Sequence, residues 1–459
     1  MVDPTDAPDT ISAEELAIAV GVAPAILDAW RVAGLLLGDR DRHPLVDIER
    51  ARLILYAERR GITAGDVAAA CATQGDLLGQ FAELIADDAR IGQPMDHVAQ
   101  QVGIDPDTLR RIWVASGLGD QDDAYEEDVQ ALRWMGTVLG AGLPEDALIQ
   151  LIRVFADAIG RVAEAETRLF HYYVHEPLRA SGLRGDELRS ATSAVSDPLI
   201  GLIDPAVLYF HRKAYQRALR DDLVLHLTEA TTLPGEELGE MQVTILFVDL
   251  SGFTPLTETM GDGAAARVVE RFSDLVRDAA DRHYGKIVKQ IGDEFMLAFA
   301  DPARAVAFGL AVDEVLSAEP QFPAVRMGAH TGTVLYREGD YIGTNVNIAA
   351  RVTAVAQRHQ LLVTDQVARA ASALEGVEIV PIGSRALKGI SGEVHLFEPR
   401  RLGLRPDRSF DPVCHMELGS TSPTVFVDWD GMTILFCSQA CAELFTADPE
   451  RYRPHVINR

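Results

Sequence analysis

From Ile11 to about Ala230, Leu, Ala, Val and Ile recur at three- and four-residue spacing, and the breaks carry Gly or Pro. That period lays apolar side chains along one helix face, so the stretch reads as a succession of amphipathic helices. Past Met241 the pattern changes. MQVTILFVDL (241–250) reads as a β-branched strand and Asp262 to Asp281 as an amphipathic helix. GKIVKQI and FMLAFA read as a strand–turn–strand around Gly292-Asp293-Glu294, and Asp301 to Ala318 as a second helix. VRMGAHTGTVLY is a further strand, followed after Asp340 by the helix NVNIAARVTAVAQRH. The order β-α-β-β-α-β fits a ferredoxin-like split βαβ with additions, closed by a hairpin over LKGISGEVHLFEPR (387–400).

The helical region looks duplicated. AVGVAPAILDAWRVAGLL (19–36) resembles QVGIDPDTLRRIWVASGL (101–118), and RRGITAGDV (59–67) resembles GAGLPEDAL (140–148), at an offset of 81 to 83 residues. The chain therefore divides into a first helical module over 11–93 and a second over 94–230, which ends in a long helix from about 205. A Pro- and Gly-containing linker follows at 231–241, then an α+β domain at 242–401 and a small α+β module at 411–455. The fold class expected is multidomain: all-α, then ferredoxin-like α+β, then a small α+β module.

Each repeat opens as helix, Gly turn, helix, the outline of a DNA-binding helix-turn-helix. Charge argues against that use. Residues 1–230 carry 38 acidic and 21 basic side chains, and the whole chain has a formal net charge of −27, where nucleic acid needs a positive face. A helical packing module is the preferred reading. No apolar run approaches the roughly 18–20 residues that cross a bilayer, so no membrane span is expected. The acidic start MVDPTDAPDT lacks the features of a secretory signal. A cytoplasmic protein is expected. Of four cysteines, Cys71 reads as core, whereas Cys414, Cys437 and Cys441 crowd the C-terminal end.

Chemistry concentrates in the α+β domain. Asp249 ends an apolar strand, and Asp293 sits in a Gly-Asp turn between two strands. In a split βαβ these positions adjoin, and two carboxylates there can share two magnesium ions for displacement at phosphorus. Ser251 to Thr254 enter a helix, whose N–H groups suit a triphosphate. Each Asp taken alone would equally serve as a cap or turn former. The combination of FVDLSGFT (247–254), KQIGDEFM (289–296), MGAHTGTV (327–334) and GDYIGTNVNIAAR (339–351) resembles the class III nucleotidyl cyclases over about 160 residues, in the family's order and spacing.

That resemblance implies roles. Asp249 and Asp293 bind two Mg²⁺ or Mn²⁺ ions per site. Lys289 and Asp340 read adenine, Asn347 orients the ribose, and Arg351 stabilises the transition state. Phe253 and Thr254 belong to the substrate-binding loop, and Arg326 and Lys388 meet the outer phosphates. Lys with Asp matches adenine, which offers an acceptor at N1 and a donor at its amino group, where guanine inverts the pattern. The implied reaction is ATP to cyclic AMP and pyrophosphate, at sites shared across a homodimer. A guanylate cyclase or a non-catalytic signalling or metal-responsive regulator is the alternative.

The helical half resembles the regulatory domain of actinobacterial, mycobacterial-type adenylyl cyclases, which implies control of how catalytic halves meet. His171, His175 and His211, near the final helix, raise a pH-sensing role because histidine titrates near neutrality. The segment DPVCHMEL…FVDWDGMTILFCSQACAELFTADPERY resembles a YHS domain. Its Cys414, Cys437 and Cys441 suggest a thiolate site for zinc or copper, with His415 as a further ligand, against three buried reduced thiols.

Overall fold

The computed structural model describes residues 10–85, 92–119, 123–229, 240–251, 257, 261–319, 322–403, 409–414, 417–418 and 425–457. They fall into two compact units, Met1–Thr232 and Leu233–Arg459.

The first unit holds two small cores of similar make-up. One gathers Leu16, Leu27, Trp30, Ile48 and Ile54; the other gathers Val98, Leu109, Ile112, Trp113 and Ile149. Each lies beside a two-stranded ribbon: Thr10–Ser12 with Arg42–Pro44, and Gln93–Pro94 with Asp123–Ala124. These ribbons correct the all-α expectation. Strands of two or three residues are too short to leave an alternating pattern in sequence. In the first core the buried Arg50 guanidinium donates to the Leu35 carbonyl at 2.7 Å and to both Asp76 oxygens at 2.7 and 2.8 Å, so its charge is paired. A 26-residue helix, Glu145–Phe170, runs into a π-helical turn at His171–His175. The last helix of the unit is Ile203–Glu229. No single helix among the described residues is long and apolar enough to cross a membrane.

The second unit is built on an eight-stranded sheet. Its elements are β1 (Glu240–Leu250), α1 (Asp262–Arg282), β2 (Lys286–Ile291), β3 (Glu294–Phe299), α2 (Pro302–Ala318), β4 (Val325–Arg337), β5 (Asp340–Ile342), α3 (Thr344–Val355), β6 (Gln360–Thr364), α4 (Asp365–Ala371), β7 (Val377–Ala386) and β8 (Glu393–Arg401). The strand order is β7-β8-β6-β4-β1-β3-β2, with β5 paired to β4. The four strands β4-β1-β3-β2 are antiparallel throughout, and β6 joins β4 in parallel. The closing hairpin is longer than the sequence suggested. β7 pairs with β8, and 387–392 is only the turn between them. Pro381 and Gly383, at an irregularity in the β7 register, had masked the strand as a break.

β1 is buried from Val243 to Leu250 because helices cover both faces. Leu246, Val248 and Leu250 pack with Phe272 and Val276 of α1 and Phe308 of α2. Val243, Ile245 and Phe247 pack on the other face with Val346 and Ala349 of α3. Two glycines of β4 let α3 lie close. A Cβ at Gly328 would sit 2.3 Å from the Thr353 backbone nitrogen, and one at Gly332 would sit 2.4 Å from Asn345 Cγ. The C-terminal module has its own core of Val413, Cys414, Ile434, Phe436, Cys441, Ala442 and Phe445, against which Val268 of α1 packs.

Candidate active site

Side chains alternate along a strand, so Asp249 shares the α3 face of β1 with Val243, Ile245 and Phe247. Its direct neighbours in the sheet are Glu294 on β3 and Arg326 on β4. A carboxylate, a carboxylate and a guanidinium thus stand in one row across three strands. Arg326 Nε donates to Asp249 Oδ2 at 2.7 Å, and its Nη2 lies 2.5 Å from the same oxygen. Gly292 takes a φ of 62°, which turns β2 into β3 and sets Asp293 beside the row. Burial pushes the Asp293 carboxyl up to about 6, and the charge of Asp249 adds to the effect. Glu294 is raised by the same two causes in the same order. Crowded, half-buried carboxylates of this kind favour a compensating cation, and all-oxygen donors suit a hard divalent one. Asp249 and Asp293 therefore fit Mg²⁺ or Mn²⁺.

Lys289 lies opposite Met296 of β3, which places it on the same face of the sheet. Its ammonium pairs with Asp340 at the start of β5. Asp340 also accepts from the Tyr341 amide at 2.8 Å. The two residues assigned to the base therefore meet, and they do so beside the carboxylates: Lys289 and Arg326 both act on the charge of Glu294.

Asn347 and Arg351 stand on the exposed side of α3, one turn apart. Neither has an ion-pair or side-chain hydrogen-bond partner among the described residues. Asn345, two residues earlier, is bound inward, to His330 Nε2 at 2.9 Å and to the Thr333 carbonyl at 2.7 Å. Within this motif one asparagine docks the helix and the other stays available. Lys388 is exposed in the β7–β8 turn, with three strands between β7 and β1 in the sheet order. Phe253 and Thr254 lie outside the described residues. Glu294 was missed as a site residue; its clue was its register opposite Asp249.

The sequence profile described as "Adenylate and Guanylate cyclase catalytic domain" matches residues 238–398, that of the "Adenylate cyclase regulatory domain" matches 10–211, and that of the "YHS domain" matches 410–456. Residues 238–398 are thus similar to the catalytic domain of adenylate and guanylate cyclases. The chain is 29% identical over 361 residues to a pH-sensitive adenylate cyclase of Mycobacterium tuberculosis, a match covering 77% of this chain and 88% of that one. It is 29% identical over 269 residues to an adenylate cyclase of Streptomyces coelicolor, covering 58% and 68%. Among solved structures it is similar to the adenylyl cyclase CyaB from P. aeruginosa, with 22% identity, a TM-score of 0.33, and 37% of this chain and 97% of that chain covered. It is also similar to the guanylate cyclase domain of RhGC from Catenaria anguillulae, with 18% identity, a TM-score of 0.33, and 36% and 100% covered.

In the C-terminal module the three cysteines converge. Cys414 Sγ lies 3.4 Å from Cys437 Sγ, which lies 3.7 Å from Cys441 Sγ. Tetrahedral zinc with Zn–S bonds of about 2.3 Å holds its sulfurs about 3.8 Å apart, so the thiols fit such an ion. Asp411 completes the group, with all four ligand atoms within 4.8 Å of one another. Its Oδ1 accepts from the Val413 and Cys414 amides at 2.8 and 3.2 Å, and its Oδ2 from the Cys437 amide at 2.7 Å. Asp411 thus braces two of the cysteine backbones, a role that its place in the sequence motif alone did not reveal. The coupled thiols share protons unequally: Cys414 and Cys437 are raised and Cys441 is lowered. His415 lies outside the described residues.

Proposed function

We propose that this chain is an adenylate cyclase that converts ATP to 3′,5′-cyclic AMP and pyrophosphate. The observation that carries the proposal is the Asp249–Asp293 carboxylate pair lying next to the Lys289–Asp340 pair on one face of the sheet. A ferredoxin-like assignment of the domain is supported by the antiparallel order β4-β1-β3-β2 with helical crossovers.

Asp249 and Asp293 would hold two Mg²⁺ or Mn²⁺ ions. Such ions activate the ribose 3′-oxygen and neutralise the leaving phosphates. Lys289 donates to adenine N1 and Asp340 accepts from the amino group, an arrangement that leaves guanine mispaired. Arg326, on the same row, is within reach of phosphate once a cation replaces it at Asp249. Lys388 is proposed to meet the outer phosphates, and Phe253 and Thr254 to bind the substrate. Asn347 would orient the ribose and Arg351 would stabilise charge developing on the α-phosphate. Both are exposed on α3 and have no ion-pair or side-chain hydrogen-bond partner among the described residues. That supports a homodimer in which α3 of a second copy supplies them.

The helical half is proposed to set the geometry of that dimer, through the helix at 203–229. Cys414, Cys437 and Cys441 are proposed to hold zinc or copper. No nucleic-acid partner is proposed, and a cytoplasmic location is expected.

Turnover of ATP and GTP by the wild type and by Asp249→Ala tests the central reading. Wild-type cyclic AMP formation that is abolished in the variant is expected. Absence of product from either nucleotide, or a preference for GTP, would overturn it.

A further inference from the structure

Phe410 immediately precedes Asp411, and its ring does not point into the C-terminal module's own core. It stacks on the ring of His359, with centroids 5.5 Å apart and planes 24° apart. The Arg358 guanidinium lies 5.4 Å from the centre of the same ring. Arg358 is half-buried, and that burial lowers its pKa. The thiol cluster and the catalytic domain are therefore joined by a small clasp with Phe410 at its centre.

The catalytic side of that clasp is a short connection, Ala356–His359, between the end of α3 and the start of β6. It is held from three directions. His359 Nδ1 lies 2.5 Å from Asp313 Oδ1 and 3.4 Å from Ser317 Oγ, both on α2. Its amide donates to the Val325 carbonyl at 2.6 Å. Its backbone takes a φ of 54°, a strained value for a β-carbon-bearing residue that persists only where the surroundings fix it. Gln360, the next residue, is the direct sheet neighbour of Arg326. Two routes lead from the clasp into the active site. One runs through His359 and Val325 to Arg326 and so to Asp249. The other runs back along α3 to Arg351 and Asn347.

We propose that the C-terminal module is a metal-responsive regulator of the cyclase reaction, acting through the Phe410 clasp on Arg358 and His359. The proposal rests on the reading of Cys414, Cys437 and Cys441 as a metal site. An ion bound there fixes the backbone of Asp411 and Cys414, and with it the ring of Phe410. A fixed Phe410 holds the 356–359 connection, which positions Arg326 beside Asp249 and anchors α3. Loss of the ion loosens the clasp and lowers turnover.

The test uses the full chain at saturating Mg²⁺, with zinc as the probe ion. Zinc bound per chain is counted, and cyclic AMP formation is measured before and after a zinc-selective chelator and again after zinc is restored. The wild type should bind one zinc and lose at least about fivefold in kcat on chelation, the lower end of ordinary allosteric coupling. Restoring zinc should recover the rate. Cys437→Ser should lose both the bound zinc and the response. Phe410→Ala and Arg358→Gln should keep the zinc but stay at the low rate whether or not it is present. Arg358→Gln guards against a simple failure of the module to fold in Phe410→Ala. If the wild type binds zinc without a change in rate, or if both clasp variants respond like the wild type, the clasp is overturned. If no zinc binds, the metal reading itself fails, and the clasp proposal with it. Inhibition by zinc that persists in Cys437→Ser belongs to the catalytic carboxylates and counts against the clasp.

Discussion

Gly328 offers the sharpest check on how α3 is placed. A β-carbon there would lie 2.3 Å from the Thr353 backbone nitrogen, 2.5 Å from its Oγ1 and 2.8 Å from its Cα. Ordinary contact begins near about 3.5 Å, so α3 must recede by roughly 1 Å. The clash is with backbone, and no rotamer relieves it. Overpacking of this kind costs about 1–3 kcal/mol, which for a unit of this size lowers the melting temperature by about 2–4 °C per kcal/mol. The larger effect should be on turnover. Arg351 lies two residues before Thr353 on the same helix, and a misplacement near 1 Å costs on the order of 100-fold. Gly328→Ala should therefore lower kcat by about 100-fold while KM for ATP moves by less than about threefold, because the base readers are on β2 and β5. Gly332→Ala should cost less, since the side chain it meets, Asn345, can turn away at the expense of its bonds to His330 and Thr333. Gly263→Ala is the control, as only Arg267 Nη1, at 4.0 Å, comes near a β-carbon there. Steady-state kinetics and a thermal melt on the three variants decide the matter. A Gly328→Ala enzyme with a wild-type kcat would refute the assignment of α3 to catalysis, whatever its stability.

Three further outcomes follow from the site and its surroundings. Because the Asp293 carboxyl is raised to about 6, the metal-free protein should lose stability as pH rises from about 4 through about 6, and Mn²⁺ should offset that loss above 6; calorimetric titration should show Mn²⁺ affinity falling as pH drops below 6, and a flat profile would contradict it. Lys289→Glu combined with Asp340→Cys should weaken the preference for ATP over GTP by at least about tenfold in the ratio of kcat/KM, and an unchanged ratio would remove these residues from base reading. Burial, and then the charge of His171, lower the His175 pKa, with Glu176 opposing and Arg179 adding to the shift. The lowered pKa means stability present above about 6.5 and lost as pH falls below it, so His175→Gln should flatten the melting-temperature profile below about pH 6.5.

The sequence made the strands and long helices of the catalytic domain legible because their periods are long and unbroken; β1, α1, β3 and α2 all appear within a few residues of where their patterns put them. It was less informative where a single residue interrupts a pattern. Pro381 and Gly383 hid β7, and the two- and three-residue ribbons of the helical half left no period at all. The site divides along the same line. Asp249 and Asp293 stood out because a charge ends an apolar run or sits in a glycine turn. Glu294 did not, because its importance lies in register: only the pairing of β1 with β3 puts it opposite Asp249. The same holds for Asp411, which accepts three backbone hydrogen bonds, one of them from Cys437, 26 residues further on. Phe410 is the extreme case. Nothing in the order of residues connects it to His359, and an aromatic beside a cysteine motif reads as core. Its ring instead leaves its own module to stack on a strained histidine just before β6, an inner strand of the catalytic sheet. Long-range contacts of this kind, between elements that are separately well formed, are where regulation is built, since they change the position of catalytic groups without being needed to fold them.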